Sequence, residues 1–205
     1  MAMESDKRYF ILHKPTNMVS QFKGVEKARL LQDLEFDFPD GIHAIGRLDS
    51  DSEGLLLLTT NKKVTRLLFN SKLKHTRTYL VKVLYTVSEE TLEQLRAGVN
   101  IRIRGGGYWI TSPCDAEIIS DPTIIYPLIT DETEEHKGPY TWLLITLKEG
   151  KYHQVRKMVF ALKHRCKRLI RVSIEDLHLG DLPAGKVKEM EETDFFRLLR
   201  IDNWK

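Results

Sequence analysis

Two apolar segments, Ile42–Ile45 and Gly54–Thr59, enclose one polar loop, Gly46–Glu53, and no other pattern constrains the chain as strongly. Apolar segments this short, bounded by Gly and acidic residues, read as strands. Others follow the same rule: Tyr9–His13 ahead of the Lys14-Pro15 turn, Thr78–Tyr85, Trp142–Leu147 and Leu169–Val172. Helical spacing runs through Val25–Phe36, through Val64–Asn70 with Thr60 or Asn61 as its cap, and through Val155–Leu162. Ser88–Ala97 starts with Ser, carries Glu at the capping-box offset and ends near Gly98, which predicts a further helix. Strands and helices mix without strict βαβ alternation, so the expected class is α+β. Pro122–Tyr140 is the best loop candidate, and no Gly-, Ser- or Pro-rich linker divides the chain into independent domains.

Composition excludes several classes. A 205-residue chain that is 41% hydrophobic and 30% charged is not disordered as a whole. At this length roughly 70% of the unfolded surface is buried on folding, enough for a core without staples. Two cysteines, Cys114 and Cys166, do not make a disulfide scaffold and are expected to be inert thiols. Runs such as Leu55–Leu58 fall far short of the roughly 18 apolar residues a membrane span needs. The N-terminal MAMESDKRYF has no apolar core for a signal peptide. A soluble, cytoplasmic protein with no membrane association is expected.

The net charge of +3 hides segregation. Thr60–Lys82 holds seven Lys/Arg and no acid, and Lys151–Arg171 holds eight Lys/Arg, two His and no acid. Asp115–Glu135 holds seven acids and no Lys/Arg. A single basic run is as readily a solvated face as a binding site. Two such runs, both interleaved with aromatic residues, favour a polyanionic partner, and nucleic acid is the expectation.

The loop Gly46-Arg47-Leu48-Asp49-Ser50-Asp51-Ser52-Glu53-Gly54 packs three carboxylates beside an arginine. As a calcium loop it fails, because its twelfth position is Thr60 and Leu55–Leu58 intervene. A plain polar hairpin loop and a catalytic carboxylate at a strand end both remain open. A second constellation, Glu149-Gly150-Lys151-Tyr152-His153-Gln154-Val155-Arg156-Lys157-Met158, puts a Gly turn before a basic helix start. Backbone N–H groups there favour anions, and an Arg there could pair with a loop carboxylate. A basic helix on the solvent face is the other reading of this segment.

Together these segments resemble the RsuA/RluB/RluE/RluF family of ribosomal RNA pseudouridine synthases. Gly46-Arg47-Leu48-Asp49 with Ser52 and Gly54–Thr59 is similar to the family's GRLD segment, whose Asp is catalytic. Arg77-Thr78-Tyr79 stands where the family has K-T-Y, the Tyr facing the target base. Gly150–Met158 is similar to its E-G-x-x-x-Q-V-R-[RK]-M, whose Arg pairs with that Asp. Arg168–Arg171 and Leu179–Gly185 are similar to its C-terminal segments, and the likeness runs in order from about Tyr9 to Met190. Gln21-Phe22, the Pro-rich loop and Leu169-Ile170-Arg171 resemble the E-type enzymes of the large ribosomal subunit. Lys62, Lys163 and Glu175 stand where the family has glycines, which touches backbone geometry and not the site.

The resemblance implies a mostly antiparallel mixed sheet in two lobes around a central cleft. Residues 1–8 would be a tail and 9–205 one catalytic domain, with no S4-type RNA-binding domain ahead of it. It implies isomerisation of uridine to pseudouridine in 23S rRNA, free or in a pre-50S particle, by a monomer using no cofactor and no metal. Asp49, Tyr79 and Arg156 would be catalytic. Arg47, Lys157 and Arg171 would meet RNA, and Leu169 would form an apolar wall of the pocket. Whether Asp49 attacks as a nucleophile or removes a proton stays open. Two other readings use the same residues. A non-enzymatic RNA-binding factor explains the basic runs but has no need of Asp49. A metal-dependent hydrolase on Asp49, Asp51 and Glu53 lacks closely spaced His ligands, the seven His being scattered.

Overall fold

The computed structural model describes residues 7–24, 27–69, 74–130, 138–202 and 204. Eleven strands and four α-helices follow one another in these residues. They are β1 (Tyr9–Lys14), β2 (His43–Ile45), β3 (Glu53–Thr59), α1 (Val64–Phe69), β4 (Arg77–Leu84), α2 (Glu89–Ala97), β5 (Asn100–Arg102) and β6 (Tyr108–Ile110). Then come β7 (Asp115–Ile119), β8 (Tyr140–Leu147), α3 (Gln154–Ala161), β9 (Cys166–Ile174), β10 (Leu177–His178), β11 (Val187–Met190) and α4 (Glu192–Leu198). The α+β expectation holds, and every strand pair whose register is described is antiparallel. The chain divides into two compact units, Met1–His75 with Ser173–Lys205, and Thr76–Val172.

In the first unit β1 pairs with β11 on one side and β3 on the other, and β2 pairs with the end of β3. All seven residues of β3 are buried, which is why its sequence reads as a continuous apolar run instead of alternating. Cross-strand pairs Phe10–Leu58 and Leu12–Leu56 share one face with Met18, Leu31 and Leu34. On β1 the alternate residue Tyr9 packs its ring against Phe195 and Phe196 of α4. The Tyr9 hydroxyl donates to the Glu192 carboxylate and accepts from Asn61 Nδ2 at 2.9 Å. Burial, with that bond to Glu192, pushes the phenol up to about 12.

In the second unit β4, β8 and β7 form an antiparallel sheet, with β9 beside β4. Buried and partly buried residues alternate strictly along β8. Its Leu143 and Ile145 join Val81 and Val83 of β4, Leu92 and Leu95 of α2, and Val155, Met158 and Val159 of α3 in one core. Gly98 ends α2 at φ +107°, and a Cβ there would collide with the Thr111 carbonyl oxygen. The α2 cap differs from the expected capping box. Thr91 stands at the third helical position, so Ser88 Oγ accepts from the Thr91 N–H without a reciprocal carboxylate at that position.

The helix expected over Val25–Phe36 is a correction. Val25 and Glu26 lie outside the described residues, and the rest holds only a 3-10 turn, Leu31–Asp33. Val19 N–H donates to the Arg29 carbonyl and Leu31 N–H to that of Gln21. These long-range pairings, and burial of Leu31 and Leu34, override the local spacing. Asn70, in the expected α1 span, also lies outside the described residues.

Tyr9 generates a test. A phenol whose pKa is raised on folding stabilises the fold fully below the unfolded value of about 10 and loses that contribution as pH rises through about 12. Tyr9→Phe is expected to be less stable than the parent at pH 7, by about 1–3 kcal/mol for the lost buried hydrogen bonds. That gap should narrow between about pH 10 and 12, as read by urea melts across the alkaline range.

Candidate active site

Asp49 and Arg47 lie in the first unit; Tyr79, Arg156, Lys157, Leu169 and Arg171 lie in the second. The Asp49 loop leaves β2 at Gly46, whose φ is +73° and whose missing Cβ would lie 2.7 Å from the Phe69 ring. Both facts restrict the position to glycine. Two residues on, Leu48 is buried and its backbone is held from both sides by one side chain. Its N–H donates to Ser20 Oγ at 3.0 Å, and the Ser20 hydroxyl donates to its carbonyl at 2.9 Å. Past Asp49, the Ser50 carbonyl accepts from Met18 N–H at 3.2 Å and from Lys14 Nζ at 3.4 Å. Ser52 N–H turns back onto the Asp49 carbonyl at 3.1 Å. The loop is thus pinned immediately before and after Asp49, whose side chain is partly exposed while Arg47 is exposed. Ser20 and Lys14 were not identifiable from sequence as parts of this site; Ser20 lies 28 residues from Leu48 in the chain.

In the second unit, Arg77, Thr78 and Tyr79 open β4 opposite Leu147, Thr146 and Ile145 of β8, and all three are partly exposed. The Thr78 and Thr146 hydroxyls lie 2.9 Å apart in hydrogen-bond contact. Tyr79 hydrogen-bonds the Arg171 guanidinium. Burial draws the Arg171 pKa below the usual guanidinium value, the interaction with Tyr79 opposes this, and neighbouring Arg77 adds to it. Arg171 is buried in β9, with Tyr79 and Arg77 as its neighbours. Leu169 is buried in the core of the same unit.

The turn into α3 is built by Glu149 and Gln154. Glu149 Oε1 accepts from Gln154 Nε2 at 2.8 Å and from Ser112 N–H at 2.9 Å. Gln154 Oε1 accepts from Lys151 N–H at 2.8 Å. The left-handed residue of this turn is His153, at φ +54°, and not Gly150. Gly150 instead lies beside Arg77, whose Nη1 is 3.7 Å from where a Cβ would be. On α3, Arg156 Nη1 donates to Cys166 Sγ at 3.5 Å, and Cys166 contacts the Arg168 carbonyl at 3.6 Å. Cys166 therefore has a structural contact that the sequence did not suggest. Burial pushes Cys114 up to about 11, as fits an inert thiol.

The basic runs are less uniform than they read. Lys62, Lys63, Arg66 and Lys74 are exposed in the first unit, and Lys72 lies outside the described residues. Lys82 is buried, its amine 4.2 Å from the centroid of the Tyr140 ring. Lys163 is exposed, while Lys157 and Lys167 are partly buried. Lys163 and Glu175, which stand in place of glycines, adopt left-handed φ of +66° and +48°. Glu175 is paired there with His75 at 3.4 Å and Arg200 at 3.6 Å. Among the described residues no group of three or more His, Cys, Asp or Glu could hold a metal ion.

Residues 8–161 match the family described as RNA pseudouridylate synthase, and the chain belongs to that family. It is 36% identical over 186 residues to "Ribosomal large subunit pseudouridine synthase E" of Vibrio parahaemolyticus, covering 91% of this chain and 75% of the relative. The protein of the same name from Vibrio vulnificus is 35% identical over 91% of this chain and 76% of the relative. A solved structure titled "Crystal structure of pseudouridylate synthase" superposes with a TM-score of 0.74 at 28% identity, covering 97% of this chain and 76% of that one.

Ser20→Ala leaves the buried Leu48 N–H and carbonyl without their described partner. We expect a loss of roughly 1–3 kcal/mol in urea melts and a fall in turnover at unchanged RNA affinity, because the loop holding Asp49 is loosened. Turnover equal to the parent's would show that the pin does not matter to the chemistry.

Proposed function

We propose that this pseudouridine synthase converts a uridine of 23S rRNA, free or in a pre-50S particle, with Asp49 as the catalytic carboxylate. The reading of the substrate rests on the large-subunit names of the relatives at 35–36% identity over most of the chain. The observation that carries the role of Asp49 is its loop, pinned at Leu48 and Ser50 on either side of a partly exposed carboxylate. Such preorganisation suits a group that must meet one sugar carbon or proton in a fixed geometry.

The reaction cleaves the C1′–N1 bond, turns the uracil and joins C5 to C1′, the C5 proton being lost and N1 gaining one. No atom is added and no electron changes hands, so the chemistry calls for a carboxylate, a base-binding ring and phosphate contacts. Asp49 acts on the extruded nucleotide, Tyr79 packs on its uracil, and Arg156 is the third catalytic residue. Arg171 positions Tyr79 through their hydrogen bond. Leu169 supplies apolar wall, and Arg47 and Lys157 meet phosphates. Unstacking the uridine costs a few kcal/mol, which phosphate contacts offset. The enzyme acts as a cytoplasmic monomer without cofactor, and residues 9–205 form its catalytic domain.

Asp49→Asn keeps the size of the side chain and removes its charge. We expect binding of a 23S rRNA fragment within a few-fold of the parent and no detectable pseudouridine by mass spectrometry. Turnover by the purified Asn variant would sink the assignment of Asp49. Full activity in EDTA on a short, pre-folded RNA is also expected; a persistent divalent-metal requirement would favour metal chemistry instead.

A further inference from the structure

The ribbon β5–β6 stands apart from the residues used above, yet it is firmly mounted. Ile101 is buried at its base, and Thr111 closes that base through its N–H to the Val99 carbonyl at 3.0 Å and its Oγ1 to the Val99 N–H at 2.9 Å. The bond from Ser112 N–H to Glu149 then ties the ribbon to the turn ahead of α3. On this fixed support large rings face solvent. Tyr108 is 72% exposed and Tyr152, on the α3 turn, is 55% exposed.

Cations crowd these rings. Register pairs Arg102 with Tyr108, placing both on one face of the ribbon. Lys151 Nζ lies 3.9 Å from the centroid of the Trp109 ring. Tyr152 stacks on His153 at 3.9 Å, with Lys157 Nζ at 5.2 Å and the Arg104 guanidinium at 5.9 Å from its ring. Neither Asn100–Thr111 nor Lys151–Arg171 contains an acidic residue. Exposed rings alone would suit many partners, but rings among cations, with the nearby Glu149 carboxylate engaged by Ser112 N–H and Gln154 Nε2, suit a chain of aromatic bases joined by phosphates.

We propose that this surface binds unpaired bases of the RNA substrate, with Tyr108 and Tyr152 as stacking platforms and Arg102, Arg104, Lys151 and Lys157 meeting phosphates. The identity of the ligand rests on the RNA substrate proposed above. The site would hold nucleotides other than the reacting uridine, in a sequence-tolerant way, because every base has a π-face.

The test uses the full chain and a fluorescent U-rich single-stranded RNA decamer, beside a duplex of the same sequence. Tyr108→Ala and Tyr152→Ala should each weaken decamer binding roughly five- to hundredfold without changing its salt slope. Tyr108→Phe and Tyr152→Phe should bind within about twofold of the parent, since the ring is kept. Lys151→Gln should lower the log–log salt slope by about 0.7. Should Tyr108→Ala melt early, Tyr152→Ala, on a surface turn, carries the same comparison. Alanine variants that bind the decamer like the parent, or a parent that prefers the duplex, would overturn the stacking site. Turnover of the parent on a 23S rRNA fragment is measured alongside. Pseudouridine formed by a parent whose alanine variants bind normally condemns the stacking site alone. No pseudouridine, with decamer binding still lost in the alanine variants, condemns the proposed substrate and leaves the stacking site standing.

Discussion

The Asp49 loop depends on one fully buried amine. Lys14 ends β1 at 0% exposure, and its Nζ donates to the carbonyls of Pro15 at 2.8 Å, Met18 at 2.7 Å and Ser50 at 3.4 Å. Burying such a group is costly unless its hydrogen bonds are made. Here those bonds gather three pieces of backbone: the end of β1, the turn after it, and the loop beyond Asp49. Ser20, two residues past Met18, then reaches Leu48 on the other side of the same loop. The segment 14–20 is thus a brace for 48–50, and an apolar side chain at position 14 would leave the Pro15 and Met18 carbonyls without a described donor and the Ser50 carbonyl with Met18 N–H alone.

The second unit reaches rigidity by other means. The β4–β8 register fixes Tyr79 opposite Ile145, and Arg171 reaches the Tyr79 hydroxyl from β9. The Glu149–Gln154 clamp then sets how the chain enters α3, and so where Arg156 and Lys157 project. The clamp uses neutral and charged side chains on backbone N–H groups, which fixes direction better than packing alone.

Much of this was legible before the structure. Strands with strong apolar content, such as β1, β3 and β8, fall within a residue or two of their expected bounds, because burial on a sheet leaves a direct mark on sequence. The motifs around Asp49, Tyr79 and Arg156 were legible through resemblance. What stayed hidden depends on contacts distant in sequence. Ser20 carries no local signal of its bond to Leu48, and Arg171 reads as one more cation in a basic run although it is buried on Tyr79. The spacing over Val25–Phe36 misled because its leucines are held by pairing with residues 19–21 and by the core. The ribbon β5–β6 is too short, and its β6 too exposed, to leave an alternating pattern.

Charge runs are the clearest case of a sequence signal that is right in sum and wrong in its parts. Within Lys151–Arg171 the arginines and lysines take at least three jobs. Arg156 and Arg171 turn inward to Cys166 and Tyr79. Arg168 Nη1 donates to the Thr130 carbonyl at 2.8 Å. Lys151 and Lys157 lie over aromatic rings. Only cations that keep access to solvent can release counterions when a phosphate arrives. The electrostatic pull on RNA is therefore smaller than the eight basic residues of the run suggest. The inward arginines contribute instead to directional bonds, which set geometry and are less weakened by salt than surface pairs.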